Sequence, residues 1–306
     1  MSTTEPRWFH RRGALARGGW ESVVDASIPG WAHTGLRVAA LGAGERLVLD
    51  ETGVERLVVP LSGGFTVTHA GHAEAGESVL AGRRSVFDGS TDVLYLPSGA
   101  NGRIEGTGRV AVAEAPTRER RPFRHLSAAE TPVELRGAGA SSRQVHNFGT
   151  PEALDAAKLI VCEVITPAEN WSSYPPHKHD ENLPGRESRL EEIYYFESAP
   201  ARGTTGGTAD AAFGLFSTYS SPAGPIEIDA MVRTGDIALV PRGYHGPAVA
   251  APGYDLYYLN VMAGPDPERV WLISDDPAHA WVRGSWEGQE LDGRLPYTGD
   301  EKEGRD

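Results

Sequence analysis

The chain has almost no cysteine and no long apolar run. Its one cysteine, Cys162, excludes an internal disulfide and fits a reducing compartment. Its place in the apolar run KLIVCEVI indicates a buried, inert thiol. No apolar run approaches the ~20 residues of a membrane-spanning helix, and no apolar segment follows the basic N-terminal residues as in a secretory signal. We therefore expect a cytoplasmic protein with no membrane partner.

Positive charge is also scarce. The sequence has 29 Lys and Arg residues against 42 Asp and Glu residues, which gives a formal net charge of −13. This negative surplus argues against nucleic acid or an anionic membrane surface as the main partner. A small anionic substrate stays compatible with it, because one arginine in a pocket can outweigh the global field locally.

Helical periodicity is equally rare. Short runs rich in Val, Leu, Ile, Tyr and Phe, such as ERLVVPLSG, DVLYLPSG, KLIVCEVI and YDLYYLNVMAG, alternate with turns among the 37 glycines and 22 prolines. Many short strands separated by turn residues are typical of a sandwich or barrel. We predict an all-β fold in which helix-forming stretches are brief, at 150–158 and around 126–130. The first has Thr150 as a candidate N-cap and Pro151 as its first helical residue.

The strands fall into two sets, at roughly 25–115 and 158–265. The stretch 116–150 between them is charged and then rich in Gly and Ser, and is expected to be a connecting segment. GSTDVLYLPSGANGRI in the first set resembles RTGDIALVPRGYHGPA in the second, which indicates a duplicated unit. The predicted organisation is an N-terminal domain at 1–150, a C-terminal domain at 151–285 and a mobile polar tail at 286–306.

Two histidines, His177 and His179, stand one residue apart in PPHKHD. In a strand, residues i and i+2 face the same side, so both imidazoles can bind one divalent ion at ~2.0–2.2 Å. Two surface histidines in a loop are the plain alternative. The metal site is favoured by two later features: the acids Glu191 and Glu192, which open an aromatic strand, and His245, which follows a Pro-x-Gly turn.

The order His-x-His, acid, strand, Pro-x-Gly-x-His resembles the two motifs of the cupin superfamily. Gly235, Pro241 and Gly243 precede His245 with nearly the spacing of the second motif. The family's motif places a glycine seven residues after the acid, and Ser198 stands there when the count starts at Glu191. The resemblance therefore implies a four-ligand metal site made of His177, His179, Glu191 and His245.

Only one of the two adjacent acids can face the metal, because neighbouring strand residues point to opposite faces. We predict Glu191 as the ligand and keep Glu192 as a catalytic candidate. Three imidazoles and one carboxylate suit Zn, Mn, Fe, Ni or Co alike, so the predicted cofactor is one divalent ion of unassigned identity. In the first half, His69 and His72 have no acid or third histidine at matching spacing and are predicted to be solvated loop residues. That half is expected to be metal-free.

Longer stretches of the second half resemble one family of cupins. SSYPPHKHD, LEEIYYF, DIALVPRGYHGPAVAAPGYDLYYLNVMAGP and DDPAHAW are similar to the 5-deoxyglucuronate isomerases of bacterial myo-inositol catabolism, relatives of the 5-keto-4-deoxyuronate isomerases. The similarity is dense over 171–282, whereas Gly246 and the stretch 198–225 depart from the family. The resemblance implies two tandem cupin domains (double-stranded β-helix, jelly-roll) and conversion of 5-deoxy-D-glucuronate to 5-dehydro-2-deoxy-D-gluconate.

Such an aldose–ketose isomerisation needs a base for the C2 proton, an electrophile for the enediolate and delivery of a proton to C1. The predicted metal would act as the electrophile. The candidates for proton transfer are Glu192, Lys178 and Tyr257. The candidates for binding the sugar acid are Arg242, Tyr174, Arg143 and Tyr244. Core packing is the alternative role for the tyrosines, and simple solvation is the alternative for the arginines.

Two other functions are compatible with the same residues. An Fe(II) cupin dioxygenase would present the same metal site in its sequence. A non-catalytic sugar-binding or storage cupin would keep the fold without turnover, although the chain has no helical DNA-binding module or basic patch of a regulator. The chain is also expected to form a homo-oligomer, because two-domain cupins often pair.

Overall fold

A computed structural model describes residues 7–71 and 74–299, which are almost entirely strands and turns. The strands of the first half are β1 (Phe9–His10), β2 (Ser22–Val24), β3 (Gly35–Leu41), β4 (Arg46–Leu49), β5 (Val54–Gly71), β6 (Glu74–Arg83), β7 (Val93–Leu96), β8 (Asn101–Pro116), β9 (Arg124–Leu126), β10 (Val133–Arg136) and β11 (Arg143–Gly149). Those of the second half are β12 (Ile160–Thr166), β13 (Trp171–Ser172), β14 (His177–Lys178), β15 (Glu191–Pro200), β16 (Gly214–Ser221), β17 (Gly224–Val232), β18 (Ile237–Val240), β19 (Tyr244–Ala250), β20 (Tyr254–Ala263) and β21 (Ser274–Asp275). Helical structure in the described ranges is limited to α1 (Val282–Ser285) and the 3-10 turns Val86–Asp88, Ala128–Glu130, Gly139–Ser141 and Ala209–Ala211. The predicted all-β fold is confirmed.

The first unit is an eight-stranded sheet. Its central order is β2-β3-β8-β5-β7-β9, with β4 paired to β8 and β6 paired to β5. The long strands β5 and β8 pair from Val54 opposite Pro116 to Ala70 opposite Asn101, with an irregularity between Pro60 and Ser62. One apolar cluster fills this unit. A second, larger apolar cluster joins buried residues of this sheet to buried residues of the second half.

The second unit has two sheets. One is seven-stranded, in the order β1-β18-β15-β20-β12-β11-β10, and the other is six-stranded, in the order β17-β16-β19-β14-β21 with β13 paired to β19. The strands EEIYYF, KLIVCEVI and YDLYYLNVMAG become β15, β12 and β20, which are buried on both faces and lie side by side. Side chains from both sheets line the cavity described below.

The strand pairing corrects the predicted domain boundary. β10 and β11, from the stretch expected to connect the two halves, extend the seven-stranded sheet of the second unit through β12. β1 pairs with β18 at the opposite edge of that sheet. The second unit therefore includes chain from well before residue 151, and the expected division at 150 does not match the sheets.

A carboxylate of the first unit shapes the entry into the second. Buried Glu55 on β5 accepts hydrogen bonds from the backbone N–H groups of Ala157 (2.7 Å), Lys158 (2.6 Å) and Leu159 (2.7 Å). In a helix over 150–158, the N–H groups of Ala157 and Lys158 would instead donate to the backbone carbonyls four residues earlier. The predicted helix at 150–158 is wrong: the chain makes a turn at 151–153 and a bend at 157–158 before β12 begins at Ile160.

A buried ion pair connects the two units. Arg83, at the end of β6, binds both oxygens of Glu163 on β12, with Nη1 2.7 Å from Oε1 and Nη2 2.7 Å from Oε2. The exposed fractions of the two side chains are 3% and 0%. His146 Nδ1 lies 2.6 Å from the same carboxylate, and the Tyr257 hydroxyl donates to it at 2.8 Å. Cys162 and Val164, next to Glu163 on β12, face the cavity on the other side of the sheet.

The C-terminal segment is not a mobile tail over its described part. Tyr297 is 3% exposed and belongs to the apolar cluster between the units. Its backbone N–H donates to Gln144 Oε1 at 2.6 Å, and its carbonyl accepts from Gln144 Nε2 at 3.0 Å. Residues 286–299 therefore pack on the body of the protein, and the predicted tail residues 300–306 lie outside the described ranges.

The structure also bears on the predictions for His69 and His72 and for membrane-spanning helices. His69 lies in β5 and stacks on Phe123 with ring centroids 4.2 Å apart, so it is not the solvated loop residue that the sequence suggested. His72 lies outside the described residues. Among the residues that are described, no helix has the length and apolar character needed to cross a bilayer.

Candidate metal centre

Three buried side chains converge between the two sheets of the second unit. His179 Nε2 lies 2.9 Å from Glu192 Oε2, and His245 Nε2 lies 3.0 Å from the same oxygen. None of the three side chains is more than 2% exposed. Ligand atoms that share one ion at ~2.0–2.2 Å lie about 3 Å from each other, so this group can hold a metal ion.

The strands bring these residues together from distant positions in the chain. His177 on β14 is the register partner of His245 on β19, and their ring centroids are 4.5 Å apart. His179 follows the end of β14, and Glu192 is the second residue of β15 in the facing sheet. The three predicted histidines therefore meet, with His177 beside the tightest group of three ligand atoms rather than within it.

The predicted ligand Glu191 faces away from the histidines. Its carboxylate accepts hydrogen bonds from the backbone N–H groups of Ala32 (3.1 Å) and His33 (2.7 Å), in the loop before β3. Side chains alternate along a strand, so anchoring Glu191 outside directs Glu192 inward. The structure places Glu192, and not the predicted Glu191, against the histidines, so Glu192 replaces Glu191 as the candidate ligand.

The outer nitrogens of the three rings support a metal site. His177 Nδ1 lies 3.3 Å from the Pro175 carbonyl, His179 Nδ1 lies 3.2 Å from the Leu190 carbonyl, and His245 Nδ1 lies 3.1 Å from the Gly243 carbonyl. A carbonyl only accepts hydrogen bonds, so these contacts assign a proton to each Nδ1. Metal-binding histidines have this arrangement, because it leaves the Nε2 lone pair for the ion.

The electrostatics of the cluster fit the same interpretation. Burial alone would raise the pKa of Glu192, but the imidazoles of His179 and His245 against its carboxylate hold that pKa well below its ordinary range. Burial alone would lower the pKa of His179, but the charge of Glu192 raises it. Burial and the neighbouring His245 lower the pKa of His177 well below its usual value, so its ring is neutral near pH 7. An ionised carboxylate beside a neutral imidazole is the protonation state that a divalent ion requires.

A cavity of about 450 Å³ opens beside the cluster. His177 and Glu192 line it at one part of the wall, and the predicted substrate-binding residues Tyr174 and Arg143 line it at others. Its remaining wall includes Cys162, Ser173, Tyr194, Tyr258, Asn260, Trp271, Asp275, Arg136 and Arg283. The mixture of aromatic faces, hydroxyls and cations suits a small polar ligand with negative charge.

Lys178 does not act on this cavity. Its Nζ donates to Asp180 (2.8 Å), Glu181 (2.7 Å) and Glu187 (2.8 Å) on the opposite face of β14 from the histidines. Burial alone would lower the pKa of Lys178, but these carboxylates raise it above its ordinary value. A lysine that stays protonated cannot serve as a base, and Lys178 is held away from the cavity wall, so the structure does not support the predicted role in proton transfer.

Two predicted tyrosines also lie elsewhere. The Tyr257 hydroxyl donates to Glu163 on the side of the sheet that faces the first unit. Because side chains alternate along β20, its neighbour Tyr258 is the tyrosine that lines the cavity. Tyr244 stacks on Tyr219 with ring centroids 5.3 Å apart, outside the cavity wall. The roles predicted for Tyr257 and Tyr244 are therefore corrected.

Arg242 is not a cavity residue either, although it is the arginine nearest His245 in sequence. Its side chain lies over Gly224 at the turn between β16 and β17, where a β-carbon on residue 224 would stand 2.9 Å from Arg242 Cδ. The structure therefore does not place Arg242 at the cavity where the sequence predicted it to bind the substrate.

We expect an Arg242→Gln variant to keep its KM for the predicted substrate within about twofold of wild type. A side chain that does not reach the ligand contributes less than about 0.5 kcal/mol to binding. Steady-state kinetics on the purified variant measure this. A tenfold rise in KM with unchanged thermal stability would return Arg242 to the binding site.

The sequence interpretation missed two arginines of the cavity. Arg136 is the register partner of Arg143 across the β10–β11 hairpin, and Arg283 is in α1. The signal for Arg136 was present: two arginines flank the turn sequence GAGASS at matching distances, as cross-strand partners of a hairpin do. The sequence had no comparable signal for Arg283, which reaches the cavity only through tertiary packing.

Comparison with known sequences gives consistent matches over most of the chain. A profile of the KduI/IolB family matches residues 8–282. A 5-deoxy-glucuronate isomerase of Geobacillus thermodenitrificans (strain NG80-2) is 40% identical over 263 residues, which cover 85% of this chain and 89% of that one. A 5-deoxy-glucuronate isomerase of Bacillus subtilis (strain 168) is 36% identical over 251 residues, which cover 81% and 86%.

Solved structures agree on the architecture. An IolB-like protein from Salmonella typhimurium LT2 superimposes with a TM-score of 0.78 at 32% identity, over 90% of this chain and 98% of that one. A point mutant of the Bacillus subtilis oxalate decarboxylase superimposes with a TM-score of 0.58 at 10% identity, over 90% and 80%. The second likeness concerns the fold alone. Together they confirm the predicted cupin architecture.

Proposed function

We propose, from the premise that the chain belongs to the KduI/IolB family and is an isomerase, that it converts 5-deoxy-D-glucuronate to 5-dehydro-2-deoxy-D-gluconate. The observation that carries this proposal is the buried group of His179, Glu192 and His245 beside a cavity of about 450 Å³. The placement of this reaction in myo-inositol catabolism, and the assembly of the chain into a homo-oligomer, stay predictions from the sequence.

The reaction moves two hydrogens within one sugar acid. A proton leaves C2, beside the C1 aldehyde, and the electron pair of that C–H bond forms the enediolate. A proton then joins C1, the oxygen on C1 becomes a hydroxyl, and the hydroxyl on C2 becomes the ketone. The number of atoms and electrons in the substrate does not change, so no external oxidant is needed.

His179, Glu192 and His245 would hold the divalent ion, with His177 as the predicted fourth ligand beside them. When bound, the ion would supply Lewis-acid polarisation to oxygens of the substrate. Glu192 contributes a full negative charge, and backbone carbonyls fix the three imidazoles with Nε2 inward. Zn, Mn, Fe, Ni and Co all accept these ligands, so metal analysis of the purified protein decides among them.

The phenols on the wall are suited to binding sugar hydroxyls. Burial, together with the charge on Glu192, raises the pKa of Tyr194 well above its usual value, and its hydroxyl lies 3.1 Å from Ser173 Oγ. Burial likewise raises the pKa of Tyr258, although a hydrogen bond with Ser172 opposes this effect. Both side chains stay protonated and can donate a hydrogen bond to a sugar oxygen.

The test is turnover of 5-deoxy-D-glucuronate in D₂O, followed by NMR under air and under nitrogen. We expect the ketose product at equal rates in both atmospheres, with solvent deuterium entering the carbon that becomes CH₂OH. Product formation that requires oxygen would replace the isomerase with an Fe(II) dioxygenase. Binding without any product would leave a non-catalytic sugar-binding cupin.

A further inference from the structure

One cation on the cavity wall is buried without an opposite charge. Arg143, the first residue of β11, is 5% exposed and lines the cavity. Its Nη1 donates to the Ser141 carbonyl at 2.9 Å, and its guanidinium lies 5.3 Å from the ring centroid of Trp286. Within residues 7–71 and 74–299, no carboxylate stands at ion-pair distance from it.

The two neighbouring arginines differ in this respect. Arg136 Nη2 is 2.6 Å from Glu134 Oε2, and Arg283 Nη2 is 2.7 Å from Asp275 Oδ1. Both therefore bring a counter-charge with them. Arg143 has no such counter-charge, and repulsion from the guanidinium groups of Arg136 and Arg283 makes its burial costlier.

Burial is the main reason why the pKa of Arg143 falls to about 10, and the positive charges of Arg136 and Arg283 lower it further. An isolated buried charge is expensive, and proteins keep one where a metal, a counter-ion or a ligand supplies the opposite charge. The contact of the Arg143 guanidinium with the Trp286 ring stabilises the cation without neutralising its charge. The missing partner is therefore an anion that enters the cavity.

The cavity runs between this cation and the candidate metal centre. Arg143 lies on β11 and Glu192 on β15, and the inward-facing residues Val164 on β12 and Asn260 on β20 line the wall between them. A ligand that spans this wall meets a guanidinium at one end and the histidines at the other. A planar guanidinium fits a carboxylate with two parallel hydrogen bonds.

We propose that Arg143 binds the carboxylate of the substrate, so that the enzyme selects sugar acids over neutral sugars and presents the opposite, aldehyde end to His179, Glu192 and His245. This inference rests on the proposed function for the identity of the aldehyde end. The recognition of an anionic ligand by Arg143 can be measured without turnover.

The kinetic test compares Arg143→Gln with wild type on 5-deoxy-D-glucuronate. We expect Arg143→Gln to lower kcat/KM by about 100-fold or more, because it removes one partner of a buried charge pair. Arg143→Lys keeps the charge but not the two parallel N–H donors of the guanidinium, so we expect it to recover part of the lost activity. Arg189→Gln is the matched control, because that arginine is half exposed, pairs with Asp266 and lies away from this cavity. A value for Arg143→Gln within threefold of wild type, with unchanged metal content, overturns the inference.

The binding test uses D-glucuronate and its neutral amide, D-glucuronamide, in calorimetric titrations of the wild-type protein. We expect the acid to bind at least tenfold more tightly than the amide in the wild type, and the difference to vanish in Arg143→Gln. Equal binding of the two by the wild type contradicts the inference, even if the Arg143→Gln variant does not fold.

The two tests separate this inference from the proposed function. If the wild type prefers the acid through Arg143 but produces no ketose, the anion site stands and the isomerisation fails. If the ketose forms and Arg143→Gln keeps wild-type kcat/KM, the isomerisation stands and the anion site fails.

Discussion

Replacing Glu192 with Gln is expected to remove most of the bound metal and to lower kcat/KM by about a thousandfold or more. A metal ion that polarises the substrate is worth several kcal/mol of transition-state stabilisation, and each ~1.4 kcal/mol is a factor of ten in rate. The amide has nearly the shape of the carboxylate but no charge, so the loss of metal and activity reports the contribution of the negative charge. Elemental analysis and steady-state kinetics on the same preparation give both quantities.

The neighbouring residue supplies the control. Glu191→Gln changes the same functional group one position earlier on β15, but Glu191 faces Ala32 and His33 rather than the histidines. We expect it to keep about one ion per folded chain and most of the activity. If Glu191→Gln loses the metal while Glu192→Gln keeps it, the assignment of the ligand is reversed.

Replacing Arg83 with Met is expected to lower the free energy of unfolding by about 3 kcal/mol. Removing one member of a buried ion pair typically costs 3–5 kcal/mol, because the remaining charge stays buried without its partner. The lower end applies here, since His146 and Tyr257 still contact the Glu163 carboxylate. Urea unfolding followed by tryptophan fluorescence measures the change. Arg84→Met is the matched control: its side chain is 66% exposed, and exposed ion pairs contribute about 0–1 kcal/mol.

The same ion pair predicts a dependence on pH. Burial alone would raise the pKa of Glu163, but Arg83 and the hydrogen bond with His146 lower it to about 2, from an ordinary value of 4.5. A carboxyl whose pKa falls on folding stabilises the protein above the higher value and loses that effect as pH drops toward the lower one. The stability difference between wild type and Arg83→Met should therefore shrink between about pH 4.5 and pH 2. A constant difference across this range would mean that the ion pair does not produce it.

Much of the site could be predicted because its information is local. His177 and His179 share a strand face, and Pro241 and Gly243 place His245 after a turn, so the sequence alone brought three imidazoles together. The choice between Glu191 and Glu192 depends on which face of β15 turns inward. The loop of Ala32 and His33, some 160 residues away in the chain, binds Glu191 on the outer face. The spacing of residues around β15 carries no information about that contact.

The arginines follow the same rule. Arg242 was favoured because it is close to His245 in sequence. It lies in the turn before β19, and the side chain of a turn residue need not point into the same cavity as that of the strand residue that follows. Arg143 reaches the cavity because β10 and β11 join the seven-stranded sheet of the second unit. β10 is the edge strand of that sheet and carries the exposed residues Val133 and Glu134, so its composition resembles a linker, although β11 beside it is buried.

The way β1, β10 and β11 cross into the second unit bears on how such a chain can change in evolution. If the chain were a fusion of two self-contained domains, either half could be deleted, replaced or expressed alone and still fold. Here a cut after residue 150 would strip the second unit of three strands and of Arg143, and a cut before β10 would still remove β1. Neither half could be exchanged or deleted at such a cut without breaking strand pairs of the seven-stranded sheet.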